Sequence, residues 1–126
     1  MASPAPGPTN LGMAPNLGGL LCYVPCCIGF IFSVVAAIVE KQSKFVRFHA
    51  FQSLLLHAGL IVLWIVMTVA QIILGMASAL LATAVWAISL LVGLGFLAVF
   101  ILLMVKANGG EEYQLPVVGE MAKKWA

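Results

Sequence analysis

The chain contains no aspartate, and its ten charged side chains fall in two blocks only, Glu40 to Arg47 and Lys106 to Lys124. So little charge, 8% against 63% hydrophobic residues, does not make a water-soluble surface. Without an acidic side chain in the apolar stretches there is no carboxylate pair, no Ser–His–acid set and no proton relay through a span. No glycine loop precedes a helix in a phosphate-binding pattern. The 6 Lys and Arg residues, all beside apolar tracts, are too few for a nucleic-acid surface. These absences leave a non-enzymatic, all-α integral membrane protein, one domain in 126 residues.

The apolar tracts set the expected topology. "GGLLCYVPCCIGFIFSVVAAIV", residues 18–39, is long enough for one helical crossing of a bilayer core about 30 Å thick. Ala50 to Val105 holds 56 residues, about 84 Å as a single helix, so it must double back. In its middle stretch "QIILGMASALLATA" Gly75 and Ser78 are the only punctuation, which predicts a turn within 75–79 between helices at 50–75 and 79–105. Three transmembrane helices are therefore expected within 18–107. Ahead of them, residues 1–17 carry four prolines and no charge, predicting an irregular outer tail; the missing basic flank argues that the first span is not a cleaved signal. Behind them, in the tail 108–126, Asn108, Gly109 and Gly110 stop the third helix. Pro116 then opens a short amphipathic one, with Val117, Val118, Met121 and Trp125 set against Glu120, Lys123 and Lys124.

Three crossings would place the amino-terminus opposite both the 40–49 loop and the carboxyl tail. Lys41, Lys44 and Arg47 against Glu40 make that loop basic, so its side is expected to be cytoplasmic, with the amino-terminus outside a bacterial inner membrane. The same residues recur every third position, as do Phe45, Phe48 and Phe51, giving a helix one stripe for lipid head groups and one for acyl chains. Trp125 is expected at the same interface.

On the second helix Ser53, His57, Trp64, Thr68 and Gln71 share one meridian, extended by His49 at its basic end. Polar groups in hydrocarbon need partners, so this face is expected to pack against protein. Gly29, Ser33 and Ala37, and likewise Ala79, Thr83 and Ala87, repeat small residues every fourth position, the spacing of closely packed apolar helices. A sharper alternative rests on His57, the one ionisable group deep in a span: as a neutral imidazole it could be an axial ligand of haem or (bacterio)chlorophyll. His49, about 12 Å along the axis, is a lesser candidate too distant to share the same centre. No metal site is expected at Cys22, Cys26 and Cys27, where no histidine or acid lies at the same level; they suit small apolar packing or a disulfide.

"LCYVPC", "KFVRFHAFQSLL" and "KANGGEEYQLPVVGEMA" together resemble a small bacterial membrane family of unassigned function, related to a protein-import (Tic translocon) component of the chloroplast inner envelope. The resemblance spans most of residues 20–122 and implies a part in a protein-translocation or other transport assembly. The residues themselves point first elsewhere: to an accessory subunit that packs against a larger membrane complex, such as a photosynthetic or respiratory one. Its expected partners are protein and lipid, with no nucleic acid and no small-molecule substrate.

Overall fold

Two proline-free runs form the frame. The computed structural model describes residues 9–25 and 27–126, and among these it contains helices and no strand. Counted along the chain, the third and fourth helices, α3 (Lys44–Ala77, 34 residues) and α4 (Ala79–Asn108, 30 residues), extend about 51 and 45 Å. Both are long and apolar enough to cross a membrane. Ser43 begins α3 by accepting the Val46 amide on Oγ at 3.3 Å. Ser78 alone, in extended conformation, ends α3 and opens α4 by accepting the Leu80 amide at 3.2 Å. The turn thus falls within 75–79, although Gly75 itself stays helical.

The expected first crossing is two short helices instead, α1 (Pro15–Leu21) and α2 (Cys27–Val39), folded back on each other. The Asn16 side chain donates to the Asn108 carbonyl at 2.9 Å, placing α1's start beside α4's end. Further along, the chain deepens: Gly19 lies against Phe45, His49 and Ala107, and Phe30 then faces His57 with ring centroids 5.4 Å apart. It returns at once, since Arg47 Nη1 donates to the carbonyls of Ala37 at 3.2 Å and Glu40 at 2.8 Å. The hairpin therefore runs alongside α3 from the level of Phe45 to that of His57, about 18 Å, and back.

Pro25 explains the break, because it offers no amide and its ring displaces the preceding helical turn. Gly29 allows the sharp return: its amide donates to the Val24 carbonyl at 3.1 Å, and a Cβ there would collide with that same oxygen. Among the described residues the long apolar helices are therefore two, not three. Hydropathy misled here because a 7-residue and a 13-residue helix dipping in and out sum to the same apolar length as one crossing.

A carboxylate fastens the hairpin's ends. Glu40, fully buried, accepts the amides of Gln42 and Ser43 on Oε1, both at 2.9 Å, and that of Asn10 on Oε2 at 2.8 Å. Asn10 Oδ1 accepts in turn from the amides of Lys41 at 2.6 Å and Gln42 at 3.0 Å. The described amino-terminal residues, the 40–43 loop and the end of α4 thus lie together, which corrects the expectation of termini on opposite sides. The fifth helix, α5 (Val118–Trp125), closes this end by burying Gly119 and Ala122, with Trp125 against Phe51 at 6.0 Å and its carbonyl accepting Arg47 Nη2 at 3.3 Å.

The phenylalanine stripe is corrected as well. Phe45 and Phe48 are buried in this cap and not directed at acyl chains, because α1, α2 and the tail cover the face that the sequence alone left open. Lys41 and Lys44 are exposed, Phe51 half-buried.

Burial pushes the Glu40 carboxyl up, but the amides of Ser43, Gln42, Asn10 and Leu11 outweigh it and hold it below the ordinary glutamate value. A depressed value means that this stability is full above the unfolded glutamate range and lost as pH falls through the folded value. Glu40→Gln, which sets a donor against these amides, should lower stability by about 2 kcal/mol at pH 7 and flatten the acid limb of a denaturant-midpoint profile. An unchanged midpoint would contradict the role given to this carboxylate.

Candidate functional site

The break at Cys22 to Pro25 leaves backbone groups without helical partners, and the surrounding side chains supply them. The Cys22 carbonyl accepts Ser33 Oγ at 3.0 Å and Ser53 Oγ at 2.5 Å. The buried Tyr23 hydroxyl donates to His49 Nδ1 at 2.8 Å and accepts from Gln52 Nε2 at 2.9 Å. His49 Nε2 then donates to the Glu111 carbonyl at 3.1 Å, so each ring nitrogen has one role. Gln52 completes the fastening by holding the extended tail at two points, Nε2 to the Tyr113 carbonyl at 2.9 Å and Oε1 from the Leu115 amide at 3.0 Å.

The three stretches quoted for the family resemblance meet in this network: Tyr23 from the first, His49 and Gln52 from the second, and residues 111–115 from the third. Every member is saturated, so it orders structure and offers nothing to a substrate. His49 is accordingly withdrawn as a haem or chlorophyll ligand, both nitrogens being spent on protein. Tyr23, Gln52, Glu40 and Asn10 escaped sequence reasoning; the one available signal was that Gln52 adjoins Ser53 in a run whose polar members needed partners.

His57 differs. Its Nδ1 lies 2.8 Å from the Ser53 carbonyl and 3.3 Å from Ser53 Oγ, whose own proton goes to Cys22. Nδ1 must therefore carry the hydrogen, leaving Nε2 as a bare acceptor. No described group engages it. The ring forms part of the wall of an open crevice of about 470 Å³ between α2, α3 and α4, with Phe30, Leu60, Gly93, Phe96 and Phe100 around it.

The remaining candidates are scattered. Gly29 and Ser33 are buried and Ala37 is half-buried; Gly29 packs on the 22–24 break of its own hairpin, and Ser33 bonds the Cys22 carbonyl that Ser53 of α3 also reaches. Trp64 is 67% exposed, Thr68 exposed and Gln71 half-buried. Thr68 and Thr83 donate to carbonyls four residues back, Trp64 and Ala79, so neither hydroxyl demands a neighbouring helix. Ala79, Thr83 and Ala87 are all exposed. Cys22 is buried with its thiol on the Gly18 carbonyl at 3.3 Å, Cys27 is exposed, and Cys26 lies outside the described residues.

A helical hairpin with a folded cap and an apolar surface along its length defines a small integral membrane protein. The chain belongs to the magnetosome magnetite crystal formation protein (MamF/MmsF) family, whose model matches residues 8–122. A UPF0132 membrane protein of Methanocaldococcus jannaschii is 40% identical over 120 residues, 95% of this chain and 96% of its own. A second from that organism is 30% identical, covering 91% of this chain and 72% of its own. One from Archaeoglobus fulgidus is 33% identical, covering 89% and 95%. No solved structure matches. The expected small membrane family is thus found, with archaeal relatives in place of bacterial ones and no relation to a chloroplast import component shown.

Gln52→Leu should strip partners from Tyr23, Tyr113 and Leu115 together, costing about 3 kcal/mol. Hydrogen exchange should then quicken more than 10-fold at the 111–115 amides while the middle of α4 is unaffected. Unchanged protection there would show that the tail is held by something else.

Proposed function

We propose that this protein is a non-enzymatic structural subunit of a larger membrane assembly, anchored by α3 and α4 and capped at one end. One observation carries the reading: the helical hairpin between residues 58 and 98 is covered by almost nothing. Trp64, Val66, Ile73, Met76, Leu80 and Leu91 are each more than half exposed. Two helices meeting along one seam leave most of their circumference for lipid or for other helices. The capped end, by contrast, is dense and satisfied. A rigid cap with bare spans suits a part that inserts between others.

The family description names magnetite crystal formation in magnetosomes. A scaffold that organises a membrane patch fits that description without acting on iron itself. Among the described residues no three His, Cys, Asp or Glu side chains converge. The transport reading finds less support, because the hydroxyls of Thr68, Thr83 and Ser89 are turned onto their own helices and do not line a polar path.

The distribution of charge supports an orientation. All ten charged residues lie in the cap and tail, with 6 basic against 4 acidic, whereas the 75–79 turn has none. The basic excess favours a cytoplasmic cap in a cell's cytoplasmic membrane, with both described ends inside.

Extraction from the native membrane in polymer-bounded lipid discs, followed by native mass spectrometry, tests this. A stoichiometric larger complex is the expected result. A monomer with lipid only, or a complex with unfolded preproteins, would overturn it.

A further inference from the structure

We propose that the His57 crevice is a binding site for a lipid-soluble phenol or quinol: an aromatic ring bearing a hydroxyl donor, with an apolar tail left in the bilayer. The chemistry of the walls selects this class. Among the described residues around the crevice the imidazole Nε2 is the one strong hydrogen-bonding atom without a partner, and the Ser53 carbonyl fixes it as an acceptor at 2.8 Å from the opposite nitrogen. A ligand must therefore bring the hydrogen. A carbonyl, an ether or a bare acyl chain brings none.

The rest of the lining is apolar apart from the Cys27 thiol, a weak hydrogen-bonding group, and three of its nine residues are phenylalanines. The His57 ring is held between Phe30 and Phe100, with centroids 5.4 and 4.9 Å away, and Phe96 stands beside them. Such walls favour a flat ring that meets them edge-on or offset. A volume of about 470 Å³ suits one substituted ring and the first carbons of its tail. Ile61 and Leu97, both about half exposed, stand at the crevice mouth, so it opens toward lipid and not toward water.

A metalloporphyrin is the rival occupant of the same nitrogen. Among the described residues no lysine or arginine lines the crevice to meet its propionates, and no second imidazole faces His57, since His49 is bonded at both nitrogens; the Cys27 thiol is the one other metal-ligating group in the lining.

Gly93 supplies a clean control. A Cβ built there meets nothing within 4 Å, so Gly93→Leu adds bulk at the crevice wall without a clash at Cβ.

The test uses the full chain with ¹⁵N-labelled histidine in phosphatidylcholine nanodiscs, titrated with 4-nonylphenol and, separately, with its methyl ether. The phenol should shift the His57 Nε2 resonance saturably while His49 stays still as internal reference, and it should bind about 10-fold more tightly than the ether, the worth of one net hydrogen bond. Gly93→Leu should abolish the phenol titration, and His57→Leu should equalise the two compounds. Equal binding of phenol and ether to the unaltered protein would overturn the proposal, as would a phenol titration unaffected by Gly93→Leu. Haemin acquiring a nitrogen-ligated spectrum that His57→Leu removes would overturn it in favour of metal coordination.

Discussion

A chain that stops being helical inside an apolar environment must find partners for every backbone group it frees, because lipid offers none. The structure depends on how this is met at Cys22 to Pro25. Ser33 comes from the returning arm and Ser53 from the adjacent long helix, and both converge on the Cys22 carbonyl. Tyr23 carries the fastening outward through His49 and Gln52 to the tail. A local defect in one helix is thereby the point at which four separate segments are joined.

That joining divides the molecule into two unlike halves. Near the charged end, short helices, buried phenylalanines and a saturated polar network give a rigid body. Beyond Ile61 the two long helices continue alone, with apolar side chains facing outward and their hydroxyls satisfied by their own backbones. Stability belongs to the first half, and association to the second. The His57 crevice sits where the halves meet, beside the tip of the hairpin, the level at which a half-buried imidazole faces an opening in the apolar wall.

The two long helices, the break between them and the short amphipathic tail helix were legible in the sequence, because length, an uninterrupted apolar run and one glycine–serine punctuation are strong local signals. Direction was not. A stretch of 22 apolar residues reads identically whether it crosses or returns, and only Pro25 hinted at a reversal whose proof lies in contacts between Gly19 and Phe45 or between Arg47 and Ala37. The three-residue spacing of Phe45, Phe48 and Phe51 was real, but what covers a stripe is decided by segments far along the chain. Likewise His49 and His57 look alike in sequence, eight residues apart on one helix, and differ because Tyr23 and residue 111 bring polar partners to the first, whereas Phe30 and Phe100 bring only rings to the second.

Sidedness is the most direct test of a hairpin that enters and leaves through one surface. With the three native cysteines replaced by alanine, single cysteines at Ala14, Ala77 and Lys123 can be probed in intact cells with a membrane-impermeant maleimide. The account predicts that positions 14 and 123 behave alike and that position 77 is labelled from the opposite face. Labelling of 14 and 123 from opposite faces would contradict it, since the first apolar segment would then cross the membrane.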